Sequence, residues 1–305
     1  MSERPWCGKE RRPQNNISVR AQAVKVDRMR IVILTLLAMV AFASNSLLCR
    51  LALRETTIDA ASFTFIRLGS GAIALCLIVL TRKTGRTIAG NWISALALFV
   101  YAAAFSFAYI SLSAGTGALL LFGAVQATMI FWGLQKGERL NARQWFGVVI
   151  ALGGLIALVF PGLSAPPIAG ALLMTGAGIA WGIYSLRGKG AGDPSSVTAG
   201  NFCRSVVFTT VLSVALVHWS NVDLAGIRYA IVSGAIASGV GYLIWYSALP
   251  GLKATTAATV QLSVPVLAAV GAISFLSESI TLRLLLASLL ILGGIGFVIV
   301  ERPSG

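Results

Sequence analysis

Residues 136–159, KGERLNARQWFGVVIALGGLIALV, and residues 276–299, LSESITLRLLLASLLILGGIGFVI, align without a gap at an offset of 140. Glu138 falls on Glu278, Arg143 on Arg283, and Leu152-Gly153-Gly154 on Leu292-Gly293-Gly294. The match extends upstream, where Leu112, Ala114, Thr116 and Ala118 meet Leu252, Ala254, Thr256 and Ala258. Earlier still, Phe65-Ile66-Arg67 matches Phe202-Cys203-Arg204, and Ala41-Phe42 matches Ala180-Trp181. Apolar sequence matches itself by chance at Ala and Leu, so the weight rests on the rarer Glu, Arg and Gly-Gly pairs, which keep one order and one spacing. The chain is read as two tandem copies of one unit.

Each unit is built of membrane spans. Hydrophobic residues make up 57% of the 305-residue chain and charged residues 11%, with a mean hydropathy of +0.84. A soluble domain carries about 25% charged residues. A hydrocarbon core of about 30 Å needs about 20 apolar residues in helix. Ten stretches meet that length, at 31–49, 60–80, 92–112, 115–134, 144–160, 168–187, 197–218, 227–248, 254–276 and 283–300. They are continuous rather than alternating, which excludes barrel strands. The expected fold is all-α and integral to the membrane: ten transmembrane helices as two five-helix repeats, over 31–160 and 168–302. An odd number of spans per repeat forces the halves into opposite orientation.

The net charge of +14 sits at the ends of spans. Arg4, Lys9, Arg11, Arg12, Arg20, Lys25, Arg28 and Arg30 precede the first span, in a basic tail (1–30) expected to be disordered and cytoplasmic. Alternating sides from there puts Arg82, Lys83, Arg86, Lys136, Arg139, Arg143, Arg187, Lys189, Lys253 and Arg302 on the same side. Only Arg50, Arg54, Arg228 and Arg283 fall opposite. That asymmetry is the positive-inside pattern and places both termini in the cytoplasm, with the chain in a bacterial inner (plasma) membrane. No basic face interleaved with aromatics is left for nucleic acid. Cys7, Cys49, Cys76 and Cys203 form no C-x-x-C pair, and His218 is the single histidine, so neither a metal site nor a cofactor is expected. The lack of a Gly-rich loop ending in Gly-Lys-Ser/Thr excludes a P-loop ATPase.

Inverted repeats are a hallmark of secondary transporters, whose site lies near the midplane between the halves. The segment Ala114–Val159, with Gly137-Glu138-Arg139-Leu140 and Ala151-Leu152-Gly153-Gly154, resembles the closing part of an EamA domain. Ala254–Val300, with Pro265, Ser277-Glu278-Ser279 and Leu292-Gly293-Gly294, resembles a second. Together they resemble the drug/metabolite transporter superfamily over about 270 residues. Val125 stands where that family commonly has a proline, in line with Pro265. The resemblance implies ten helices and export or exchange of small metabolites such as amino acids, by alternating access. Nucleotide-sugar or sugar-phosphate exchange is the alternative within carriers. A membrane-embedded enzyme or a channel is the alternative from another class. An enzyme is not expected, because no nucleophile–base or metal constellation is visible. The expected partners are a small-molecule substrate and the lipid bilayer, with the protein a monomer or homodimer.

Ionisable groups inside a bilayer cost about 2.5–3.5 kcal/mol on insertion scales and are candidates for function. Arg67 and Arg204 stand well inside spans, at equivalent positions of the repeats. One reading makes them electropositive anchors for a carboxylate or phosphate in a central cavity. The other makes them architectural, pinning neighbouring helices through carbonyl groups. The acidic residues all lie in tails or connections, Glu138 beside Arg139 and Glu278 near Arg283 reading as caps or ion pairs at helix ends. Asn45, Gln126 and Gln261 are the candidate hydrogen-bonding groups of a cavity. Tyr101, Trp181, Tyr184, Tyr242 and Trp245 are candidates for its aromatic wall, against the reading of interhelical bonds and interface-belt aromatics. Gly147, Ala151 and Gly154 share one helix face, and Ala287 with Gly294 repeats part of it, suiting close helix packing in lipid.

Overall fold

The acidic and amide residues of the connections start the helices. Asp59 accepts from the N–H groups of Ala61 and Ser62, Asn91 from Ser94, Asn141 from Gln144 and Asp193 from Ser196. Each supplies a side-chain acceptor to first-turn N–H groups that have no partner within the helix, just where the chain enters an apolar medium. The computed structural model describes residues 14–82, 87–137, 139–160, 165–189, 191–252, 257 and 260–299, with only the backbone for 14–28 and 299. Glu138, the counterpart of Glu278, lies outside the described residues, as do Lys83, Arg86, Lys253 and Arg302.

The helices are α1 (Gln14–Glu55), α2 (Ala60–Leu80), α3 (Trp92–Tyr109), α4 (Ala114–Gln135), α5 (Ala142–Val159), α6 (Ile168–Gly188), α7 (Pro194–Ala215), α8 (Leu224–Gly251), α9 (Ser263–Leu276) and α10 (Leu282–Ile299). The first eight are long and apolar enough to cross a membrane, α1 from Met29 onward, and the last two are shorter apolar helices. The expected all-α membrane fold of ten helices is what forms. Three details differ from the expectation. Helix α1 begins at Gln14, so the tail expected as disordered is helical from there, because no helix breaker separates it from the span. Residues 1–13 lie outside the described ones. The ninth span is broken by a turn at Leu262. Pro265 has no N–H to donate, and its ring crowds the carbonyl four residues earlier, at Gln261. Its counterpart α4, with Val125, runs unbroken. The eighth span is not a plain α-helix: Val232–Val240 is wound as a π-helix.

Nearly every major packing contact joins one repeat to the other. Helix α3 packs on α6 and α7, α4 on α6 and α9, α2 on α7 and α8, α1 on α8 and α9, and α5 on α10. The small faces read from the sequence make the α5–α10 contact. A Cβ on Gly147 would collide with the Gly294 carbonyl, and one on Gly294 with the Ala151 nitrogen and Gly147 carbonyl.

At the end where α1 finishes, the chain ties itself shut. Arg50 Nε donates to Glu278 Oε1 at 3.2 Å and Arg50 Nη1 to the Tyr109 carbonyl at 2.8 Å, while Glu278 Oε2 accepts from the Ala114 N–H at 2.8 Å. Glu278 therefore pairs with Arg50 rather than with nearby Arg283, whose Nη1 donates to the Phe160 carbonyl. Asp59 lies at the same end. Burial pushes its carboxyl up, but hydrogen bonds from Ser62, Asn221 and Ala61 outweigh this and hold it below the usual carboxylate range. Its capping contribution is complete above the unfolded-chain value of about 3.9 and is lost as pH falls through the lower folded value. Thermal unfolding in detergent followed below pH 4 should show wild type losing stability more steeply than Asp59→Asn. Parallel curves would remove this role.

Candidate functional site

Arg67, on α2, is fully buried at the junction of the two repeats. Its Nε donates to Ser238 Oγ at 3.2 Å, and its Nη2 to Tyr101 Oη at 3.1 Å and Tyr242 Oη at 3.4 Å. The guanidinium lies 5.2 Å from the Tyr101 ring centroid and 4.9 Å from that of Phe105. Its Nη1 is buried with no hydrogen-bond partner, and among the described residues no carboxylate pairs with it. An unpaired buried cation is costly, and a pair is restored only by an anion from elsewhere.

Asn45 of α1 completes the polar cluster. Its Nδ2 donates to Tyr101 Oη at 3.1 Å, and its Oδ1 accepts from Ser233 Oγ at 2.7 Å and Ser238 Oγ at 3.4 Å. The π-turns of α8 explain how two serines five residues apart reach one amide. In an α-helix such residues diverge by roughly 140°, whereas i→i+5 winding brings them onto one face. Neither Ser233 nor Ser238 was singled out from the sequence, because helical periodicity separates them.

Aromatic rings form the wall. Trp181 of α6 sits 4.6 Å from Tyr242, 5.0 Å from Tyr101 and 5.8 Å from Phe42, centroid to centroid. Phe42 and Trp181, matched in the sequence repeat, thus meet edge to face at the centre. Tyr101 and Tyr242, on the third and eighth helices, meet hydroxyl to hydroxyl at 3.2 Å. Trp245 packs on Phe42 at 5.9 Å and Tyr184 on Trp181 at 5.6 Å. The central chamber, lined by Phe42, Asn45, Ser46, Tyr101, Phe105, Leu121, Phe122, Trp181 and Tyr242, holds only about 10 Å³, and Arg67 stands behind its Tyr101, Phe105 and Tyr242 wall. That is at most the room of one water, so any larger guest needs the walls to part.

The other candidates separate. Arg204, the sequence partner of Arg67, is half-buried away from the chamber: its Nη1 donates to the carbonyls of Ala89 (2.7 Å) and Gly200 (2.9 Å), and its guanidinium lies 6.0 Å from the Trp92 ring centroid. It ties the α2–α3 connection to α7. Gln126 of α4 is buried, and Gln261 is buried beside the break before α9 with its Oε1 lacking a hydrogen-bond partner. Neither lines the central chamber. Cys76 and Cys203, distant in sequence, approach to 3.2 Å between α2 and α7.

Comparison with known proteins agrees with this architecture. An uncharacterized protein of Pseudomonas aeruginosa is 55% identical over 274 residues, covering 90% of this chain and 96% of the relative. An uncharacterized transporter of Archaeoglobus fulgidus is 25% identical over 81% of this chain and 89% of its own length. The threonine/homoserine exporter RhtA of Escherichia coli is 33% identical over 167 residues, 52% of this chain and 55% of the exporter. A solved crystal structure superposes with a TM-score of 0.64 at 16% identity, over 88% of this chain and 96% of the other, which shows the shared fold. The model of the EamA-like transporter family matches twice, over residues 29–160 and 168–300. Two consecutive family domains, each carrying five of the ten helices, account for almost the whole chain, which belongs to the EamA-like transporter family.

Proposed function

We propose that this protein is a secondary transporter of small organic metabolites that carry a carboxylate, amino acids foremost, and that Arg67 grips the carboxylate. The observation that carries the reading is the buried guanidinium with one nitrogen unpartnered and no acidic residue beside it. Three features support transport by alternating access: the chamber is shut, one end is tied by Arg50 and Glu278, and the other holds a wider cavity. The positive-inside pattern supports a cytoplasmic position for that wider end, in a bacterial inner membrane, and a cavity open on that side fits export or exchange. The likeness to threonine/homoserine exporters supports amino acids as the class. An ammonium group would find ring faces and the Asn45 amide, since no carboxylate lines the chamber. Nucleotide-sugar or sugar-phosphate exchange stays the alternative within carriers, with Arg67 but not Arg204, which is bound to backbone elsewhere, at the centre.

Counterflow in proteoliposomes tests the reading. L-Threonine and L-homoserine should exchange saturably, and their methyl esters should not. Equal exchange of the esters would sink the role of the carboxylate, and flux that neither saturates nor exchanges would indicate a channel. The tie at the far end gives a second expectation. Arg50→Cys/Glu278→Cys, cross-linked, should lose exchange and regain it on reduction. Full exchange by the cross-linked protein would show that this end does not open.

A further inference from the structure

A cavity of about 420 Å³ opens at the end of the protein opposite the Arg50–Glu278 tie. Helix α6 ends there, α7 begins, and α8 finishes in its last turn, Leu249–Gly251. This is within the usual range for a small-molecule site, whereas the central chamber has no such room. Lys189 is the one charged side chain of its lining among the described residues, and the apolar part includes Val197, Leu249 and Leu252. Two buried hydroxyls mark its inner wall. Tyr246 lines the cavity, and its Oη and the Oγ of Ser185 on α6 face each other, neither making another hydrogen bond. Gly188 makes the place for the Tyr246 ring, since a Cβ there would press on its edge.

The rings connect this cavity to the centre. Tyr246 packs edge to face on Tyr184 at 6.2 Å, Tyr184 on Trp181 at 5.6 Å, and Trp181 on the two tyrosines that hold Arg67. Along this line a cation stands at each end and, among the described residues, no carboxylate lines either compartment. We propose that the outer cavity is a loading subsite for organic anions: Lys189, with the Tyr246 hydroxyl, takes the carboxylate, Val197 and Leu252 take the apolar body, and the Tyr184–Tyr246 pair is the door toward Arg67. The inference rests on the reading that Arg67 holds the carboxylate at the centre. It adds where the substrate is first selected, and by charge.

Charge-selective labelling tests the subsite with the transported substrate still unidentified. In a chain whose native cysteines are replaced, Val197→Cys is labelled with an anionic sulfonatoethyl and a cationic trimethylammonioethyl methanethiosulfonate, each rate taken relative to a free thiol. One ammonium at about 6 Å acts with opposite sign on the two reagents, so the normalised anionic rate should exceed the cationic by about tenfold. Lys189→Gln should bring the ratio close to one. Phenylacetate should protect the cysteine and phenethylamine should not, and both results should persist in Arg67→Met. Equal normalised rates, or protection by the amine alone, would overturn the subsite. Should Val197→Cys fail to fold, Leu252→Cys reports from another position of the same lining with the same expectations. In flux assays, Lys189→Gln should raise KM for a carboxylate substrate severalfold with kcat unchanged. Charge-selective labelling that survives while Arg67→Met transports normally would refute the central anchor and leave the outer subsite standing.

Discussion

Arg67→Met should abolish exchange of carboxylate substrates and leave the empty protein at least as stable as wild type. The guanidinium gives up its hydration on burial and recovers only three hydrogen bonds to neutral hydroxyls. Replacing a buried charge with an apolar side chain of similar size is often neutral or stabilising, by about 1–4 kcal/mol. Binding should suffer in the opposite direction. Truncating one partner of a buried, hydrogen-bonded charge pair costs about 2–5 kcal/mol, which is on the order of 30-fold to several thousand-fold in affinity. Arg67→Lys should recover little, because an ammonium cannot reproduce the planar fork that spans Ser238 and the two tyrosines. Thermal unfolding and counterflow on the same preparations separate the two readings of this arginine. An architectural arginine would lower the melting temperature when replaced. An anchor lowers exchange and spares the melting temperature.

Gly234→Ala should lower both stability and transport, although it adds a single methyl group. The π-turn of α8 lies directly on α2, and a Cβ at residue 234 would fall on the Arg67 carbonyl oxygen and Ser70 Oγ. Gly71 meets the Gly234 carbonyl from the other side. A backbone oxygen cannot step aside as a flexible side chain can, so α8 would have to retreat from α2. That movement takes Ser233 and Ser238 away from Asn45 and Arg67. Overpacking of this kind costs about 1–3 kcal/mol, and the rigid neighbour favours the upper part of that range. Gly69→Ala, on α2 two residues from Gly71 but with nothing within 4 Å of its Cβ, is the control. It should be neutral or gain a few tenths of a kcal/mol through better helix propensity. If both variants melt and transport alike, close approach of α2 and α8 is not what positions the site.

Much of the buried polar cluster proposed as the site was legible in the sequence, and the reason is physical. A charge inside a span and an amide interrupting an apolar run are expensive in lipid, so Arg67 and Asn45 stood out. The repeat pointed to the centre as well: Phe42 and Trp181 were matched by alignment and meet in space. The same logic overreached at Arg204. Equivalent positions in inverted repeats face opposite ends of the membrane and need not share an environment, and here one arginine turns inward while the other binds backbone at an edge. Ser233 and Ser238 stayed hidden because a sequence read at 3.6 residues per turn puts them on different faces.

The amino-acid sequence by itself determined the class, the ten helices, the two five-helix units and the charge asymmetry between the ends. These depend on composition, span length and local matching, which act residue by residue. Only the tertiary structure decided which arginine is central, that Glu278 reaches across the chain to Arg50 rather than to its neighbour Arg283, and that α8 is wound to present two serines to Asn45. Each of those is set by what lies opposite a side chain once the repeats interlock, and a linear sequence does not contain that information locally. The matched segments at residues 136–159 and 276–299 thus become, in three dimensions, the α5–α10 contact, while the buried polar cluster proposed as the site sits where α1, α2, α3, α6 and α8 converge.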